Sequence, residues 1–276
     1  MVKVSFVCPV FNKSKYLKDV LNALKNQTGS FKKEFIFVND GSSDNSLELL
    51  KSLTKNWKNK KILSQKNKGP ASATQRGIDI STGDYIKLVG GDDVMSPNCT
   101  NTLLEVLNQT KAVAVFSRYK LVKNIKNFKF VNMPFQNLRI LKDPLQKTVL
   151  SSYSGTSPNL YCKKTIEKSG GCNLKLFIED FSLVLGLSKL GQFSFIDNVT
   201  SIGPADDQNR IMVGKQTQLI HDFNAALYYF FVENDTLPAK LKRLACFKAI
   251  GRAEKWARRI KNKMKRGDTI TCLKIK

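Results

Sequence analysis

Asp92 and Asp93 stand side by side behind an apolar run and two glycines, Gly90 and Gly91. Adjacent carboxylates at a strand end suit a hard divalent cation, because Mg²⁺ takes one or two carboxylates together with phosphate oxygens. The glycines would let a phosphate approach the backbone closely. Taken alone, the pair suits a turn followed by a helix cap equally well. Three other stretches carry comparable groups. Asn39-Asp40-Gly41-Ser42-Ser43-Asp44 offers Asp40 as an acceptor for a base or ribose, although Asp-Gly is first of all a turn signal. Asn67-Lys68-Gly69-Pro70 reads as a loop entering a helix, and Glu179-Asp180, without context, as a solvated helix start.

An alternating series of strands and helices would bring these stretches together. Lys3–Cys8 reads as a buried strand, Tyr16–Asn26 has apolar residues at helical spacing, and Glu34–Val38 reads as a second strand. Asp44 predicts the N-cap of a helix over Ser46–Asn56. Lys61–Ser64 is a third strand, and Pro70 opens a helix that ends near Ser81-Thr82-Gly83. Tyr85–Val89 is a fourth strand, Ser96-Pro97 begins a helix reaching about Leu107, and Ala112–Phe116 is a fifth strand. This order predicts an α/β fold with a mainly parallel, Rossmann-like central sheet flanked by helices on both faces. Ligands of such sheets bind beyond the carboxyl ends of the strands. That rule selects Pro9–Asn12, Asn39–Asp44, Asn67–Gly69 and Gly90–Asp93, which are the Gly-, Asn- and Asp-rich stretches. Further on, helices are expected near Lys142–Ser151, Phe177–Gly191 and from Val213, with strands at Asn159–Cys162 and Gln192–Ile202. A last helix runs from about Ala239 to Lys265, so a domain over 1–205 is expected to carry a helical C-terminal extension over 206–276.

Taken in order, the motifs resemble the family 2 glycosyltransferases of the GT-A fold. Val7-Cys8-Pro9-Val10-Phe11-Asn12 is similar to the family's opening strand and turn, and Phe37–Asp44 to its Val-Asp-Asp-Gly-Ser-x-Asp segment. Asn67–Ala73 resembles its Asn-x-Gly-x-x-x-Ala helix start. Gly83-Asp84-Tyr85-Ile86 with Asp92-Asp93 resembles its strand and metal-carboxylate motif, and Phe177–Phe181 its Glu-Asp motif. The likeness covers about residues 3–200. It implies transfer of a sugar from a nucleotide-diphosphate donor, with a UDP-sugar expected, to a hydroxyl of a cell-surface glycan or lipid-linked acceptor, with inversion. Pro9, Phe11 and Asn12 would line the nucleoside pocket, Asp40 would contact the base, and Gly69 would adjoin the donor. Asp92, with Asp93 beside it, would hold Mn²⁺ or Mg²⁺. Asp180 would be the catalytic base and Glu179 its support. Three departures from the pattern alter these expectations. Gly90 replaces the first aspartate of Asp-x-Asp, and Asn39 replaces the first aspartate of the second motif. Thr74-Gln75 follows Ala73 where the family has Arg-Asn, so the expected cationic contact moves to Arg76, with Arg210 the cation of a later segment.

Forty-six Lys and Arg against twenty-two Asp and Glu give a formal charge of +24, which attracts polyanions without choosing among them. No helix-turn-helix, zinc-finger or RRM-like motif appears, so specific nucleic-acid binding is not expected. Six dispersed cysteines and one histidine, His221, make a zinc site improbable and suit a reducing compartment, with His221 read as structural or superficial. No apolar run reaches the roughly 20 residues of a membrane helix, and no secretory signal is evident; a cytoplasmic location is expected. Lys240–Arg266 carries twelve Lys/Arg and a single acid, Glu254, with Phe247, Ile250, Ala257, Ile260 and Met264 at helical spacing. Such a helix suits an anionic membrane surface on the cytoplasmic face, and equally one packed on the domain. The alternatives to a transferase are a nucleotidyltransferase, which would want a Gly-rich basic loop after the first strand, and a non-catalytic domain that binds nucleotide sugars or polyanions.

Overall fold

A computed structural model describes residues 1–151, 153, 157–205 and 215–265. The chain begins β1 (Lys3–Val10), α1 (Ser14–Lys25), β2 (Lys32–Asp40), α2 (Ser46–Leu53), β3 (Lys60–Gln65), α3 (Pro70–Asp79) and β4 (Tyr85–Leu88). It continues through β5 (Val94–Met95), α4 (Cys99–Thr110), β6 (Ala114–Val122), β7 (Arg139–Leu141), α5 (Leu145–Leu150), β8 (Asn159–Cys162) and α6 (Lys163–Ser169). The last elements are α7 (Glu179–Ser188), β9 (Phe193–Pro204), α8 (Gln216–Glu233) and α9 (Ala239–Lys265).

One nine-stranded sheet runs β3-β2-β1-β4-β8-β6-β9, with β5 and β7 pairing different halves of β9. β1, β2, β3 and β4 are mutually parallel, and β6 and β9 share their direction because β8 lies antiparallel between β4 and β6. The sheet is therefore mainly parallel, as expected. The expected fifth strand, β6, is separated from β4 by β8, a strand that starts 37 positions after β6 ends.

The sheet is buried on both faces, which explains why β1 is apolar on both sides apart from Lys3 and Ser5, the latter buried and bonded to Glu34. Its even-numbered side chains Val4, Phe6, Cys8 and Val10 pack with Phe35 and Phe37 against Leu17, Val20 and Leu24 of α1 and Leu103 of α4. Val7, Ile36 and Val38 point the other way, onto Ala73 and Ile78 of α3 and Leu183 and Val184 of α7. α3 lies close to the sheet because Gly77 has no side chain: a Cβ there would stand 2.4 Å from Val7 Cγ1. A third cluster joins Leu145 and Val149 of α5, Phe181 and Leu185 of α7, Leu227 and Phe230 of α8, and Ala245 of α9. Asp44 is not the N-cap residue of α2; Asn45 takes that place. The Asp44 carboxylate accepts hydrogen bonds from the Ser46 and Ser14 backbone N–H groups, tying the starts of α1 and α2 together.

Candidate active site

The carboxyl ends of β1, β2 and β4 open into a cleft of about 650 Å³. Its lining includes Pro9, Phe11, Lys13 and Asp40 after β1 and β2, Gly90, Gly91, Asp92 and Asp93 after β4, and Glu179 and Asp180 at the start of α7. Residues 87 positions apart in sequence, Asp93 and Asp180, thus share one cavity.

Asp40 is buried at the last position of β2. Its Oδ1 accepts from Lys68 N–H at 2.9 Å and Gln65 Nε2 at 2.8 Å, and its Oδ2 from Gly69 N–H at 2.9 Å. A carboxylate has about four acceptor positions, so these three bonds leave room for one more donor from the cleft. The same bonds hold the entry to α3, where Gly69 adopts a positive φ of 87° and Pro70 starts the helix. Gly41 is required beside them, since a Cβ there would lie 2.7 Å from the Asn67 nitrogen.

The two aspartates after β4 have different surroundings. Asp93 Oδ1 accepts from Tyr119 Oη at 2.7 Å and its Oδ2 from Ser157 Oγ at 2.5 Å. Ser157 Oγ also accepts from Gly90 N–H, and the wholly buried Lys87 donates to the Ser157 and Asn159 carbonyls. Burial lowers the Lys87 pKa. Asp93 thus ties β4, β6 and the start of β8 together through Tyr119 and Ser157. Asp92 instead meets Lys13, whose Nζ lies 2.7 Å from Asp92 Oδ2. Asp92 presents the hard oxygen donor a divalent cation takes alongside phosphates, so the site fits Mn²⁺ or Mg²⁺ through this one carboxylate. Among the described residues no group of three His, Cys, Asp or Glu side chains is placed to hold a metal.

Glu179 and Asp180 open α7. Burial, and then the charge of neighbouring Asp180, push the Glu179 carboxyl well above the usual carboxylate range. Asp180 Oδ1 accepts from Phe181 N–H at 2.8 Å. The approach to this pair is fixed from the C-terminal helices: buried Asp222 of α8 accepts from Phe177 N–H at 2.6 Å. His221 is largely exposed, with its Nδ1 2.9 Å from Asp222 Oδ1.

Three expected donor contacts lie elsewhere. Asn12, with a positive φ of 52°, uses its side chain to bridge loops: Oδ1 accepts from Ser43 and Asp44 N–H, and Nδ2 donates to Ser43 Oγ. Arg76 donates to the Ser64 carbonyl and Gln65 Oε1, so it steadies β3 rather than lining the cleft. Gly69 acts through its N–H on Asp40. Arg210 lies outside the described residues. Sequence reasoning passed over Lys13, Tyr119 and Ser157, whose types are common in loops and strands. It also passed over Arg118 and Arg139, which line the outer cleft and share Asp197, 2.7 and 2.9 Å away. Phe116, Tyr153 and Phe195 line the cleft as an aromatic cluster, with ring centroids 4.7–6.2 Å apart.

Residues 5–163, more than half of the chain, match the family described as glycosyl transferase family 2. The chain belongs to that family. A curated relative, the uncharacterized glycosyltransferase YibD of Escherichia coli K12, is 35% identical over 102 residues, which is 37% of this chain and 29% of that protein. The chain spans about a third of the length of the first curated relatives it matches, from 29% to 38%. Among solved structures, S. aureus TarS 1–349 in complex with UDP-GlcNAc superposes with a TM-score of 0.65 at 17% identity, covering 84% of this chain and 66% of that one. The mannosyltransferase PcManGT from Pyrobaculum calidifontis, in complex with GDP-Man and Mn²⁺, gives 0.64 at 13% identity, covering 89% and 68%. At such identities the likeness establishes the fold, which is that of the GT-A transferases.

Proposed function

We propose that this chain transfers a sugar from a nucleotide-diphosphate donor, a UDP-sugar by first preference, to an acceptor hydroxyl with inversion. The observation that carries the reading is that one cleft is lined by Asp40, Asp92 and the Glu179-Asp180 pair together. Pro9 and Phe11 would face the nucleoside, and the remaining acceptor position of Asp40 would take a base N–H. A cation held by Asp92 and the diphosphate, Mn²⁺ or Mg²⁺, would neutralise charge on the departing nucleotide.

Asp180 is the group we assign as base. Glu179, its pKa raised, keeps its proton near neutrality and serves as a donor beside Asp180. Asp180 would accept the acceptor hydroxyl's proton as the oxygen attacks the anomeric carbon, a role worth about 10²–10⁴ in rate. Phe116, Tyr153 and Phe195 offer flat apolar surface for the acceptor's sugar rings, with Arg118 and Arg139 at the rim. The acceptor we propose is a glycan or lipid-linked precursor, a reading supported by the basic helix α9 and by the family likeness only as far as the reaction type. The domain division at residue 205 is part of the same reading.

Release of nucleoside diphosphate from a panel of UDP-, GDP- and dTDP-sugars, with simple glycosides as acceptors, tests the proposal. Release from one donor class, lost in Asp180→Asn, is expected. Donor binding without turnover across the panel would favour a non-catalytic nucleotide-sugar domain, the reading to which the absence of a carboxylate at Gly90 points.

A further inference from the structure

We infer that Lys13 is a built-in counter-ion of Asp92 that competes with a divalent cation for it, so that cation loading and release of Lys13 are linked. The inference rests on the reading above that Asp92 is the cation ligand. The contact is close: Nζ lies 2.7 Å from Oδ2, and the two side chains are only 9% and 12% exposed. Charges so far out of water interact strongly, because little solvent screens them. A cation approaching Asp92 must therefore displace or share a full positive charge already in place.

The surroundings are shaped for this contact. Lys13 N–H donates to Ser46 Oγ at 2.8 Å, and its carbonyl accepts from Tyr16 and Leu17, so its backbone is pinned at the start of α1. Gly91 leaves room for the side chain to pass: a Cβ there would stand 2.9 Å from Lys13 Cγ. Asp93 is held by Tyr119 and Ser157, and Lys13 is the sole ion-pair partner of Asp92 among the described residues. Both partners line the cleft, so the pair stands where a donor diphosphate would arrive. With Gly90 in place of a further carboxylate, Asp92 has the Lys13 ammonium on one oxygen, while the neighbouring Asp93 carboxylate is taken up by Tyr119 and Ser157.

The test is Mn²⁺ binding, followed by electron paramagnetic resonance of free Mn²⁺, on the full chain without nucleotide. Lys13→Met keeps the length of the side chain and removes its charge. Lys13→Gln also keeps a hydrogen-bond donor, as a safeguard should the methionine variant misfold. At least tenfold tighter Mn²⁺ binding in either variant, abolished when Asp92→Asn is added, is the expected result. Unchanged or weaker binding in the folded variants, with the wild type binding Mn²⁺ through Asp92, would overturn the inference and leave the Asp92 reading standing. Absence of Mn²⁺ binding in wild type and variants alike, even with UDP added, would overturn both.

Discussion

The Glu179-Asp180 pair makes the sharpest residue-scale statement, because burial and the adjacent Asp180 charge raise the pKa of the Glu179 carboxyl. Asp180→Asn should lower kcat by about 10²–10⁴ while leaving nucleotide affinity within about twofold, as steady-state kinetics and calorimetry would read. Glu179→Gln should retain most activity, because an amide preserves the donor that a protonated Glu179 supplies. The stability sign follows from linkage. A raised carboxyl pKa means that the folded state binds more protons than the unfolded one, so stability falls as pH rises from about 4.5 through the raised value. Thermal melts should therefore show Glu179→Gln gaining on the wild type as pH increases from 5 to 8. A gain toward acid pH would reverse the assignment. Glu34 behaves oppositely. Burial pushes its carboxyl up, but hydrogen bonds from Ser5, Thr82 and Lys61 outweigh this and hold it at about 2. Its contribution is complete above about 4.5 and is lost as pH falls toward 2. Glu34→Ala should cost about 1–3 kcal/mol at neutral pH, by urea unfolding, by leaving buried donors unpaired.

At the scale of elements, the cleft depends on how closely α3 approaches β1 and β2. Gly77→Ala adds a methyl 2.4 Å from Val7 Cγ1, closer than real contacts allow. Overpacking costs about 1–3 kcal/mol, and the helix-propensity gain of alanine offsets at most about 1. Net destabilisation with weakened nucleotide binding is expected, since Gly69 and Pro70 would shift with the helix. The sequence made most of these elements legible. Buried parallel strands such as Val4–Val10 are mostly apolar runs, here interrupted by Ser5 and Pro9, and α1 has clean helical spacing, so β1–β4 and α1–α4 were placed within a few residues. What failed to show has physical reasons. β5 is two residues long, β7 begins with an exposed arginine, and α6 buries only Thr165 and Ile166, too little for a period to register. The insertion of β8 between β4 and β6 is a long-range pairing that no local window contains. At the site, residue types marked the carboxylates, but hydrogen-bond destinations decided their roles: Asn12 and Arg76 turned to neighbouring loops, Asp93 to Tyr119, and Lys13 to Asp92.

Across the whole molecule, the C-terminal helices do more than extend the chain. Asp222 of α8 holds the backbone just before Glu179, and α9 docks through Leu241, Leu244, Ala245 and Arg252, the last donating to the Phe223 carbonyl. The opposite face of α9 leaves Phe247 72% and Ile250 64% exposed amid basic side chains. No helix among the described residues is long and apolar enough to cross a membrane. Each Lys or Arg near an anionic bilayer contributes about 1 kcal/mol, and two apolar side chains can enter the headgroup boundary. Co-sedimentation with phosphatidylserine vesicles should thus be strong at low salt, weak at high salt, and reduced in Phe247→Asp/Ile250→Asp. Binding that survives those changes would place the contact elsewhere. Deleting 240–276 is a poorer test, because it strips Ala245 from the core shared with α7. In the proposed reaction Asp92 sits where the donor diphosphate binds and Asp180 where the acceptor reacts. Calorimetric titration of UDP, with Mn²⁺ and with chelator, into wild type, Asp92→Asn and Asp180→Asn tests it most directly. The account predicts Mn²⁺-enhanced binding that is weakened at least tenfold in Asp92→Asn and preserved in Asp180→Asn. Equal binding by all three proteins, or no binding of UDP, GDP or dTDP under either condition, would contradict it.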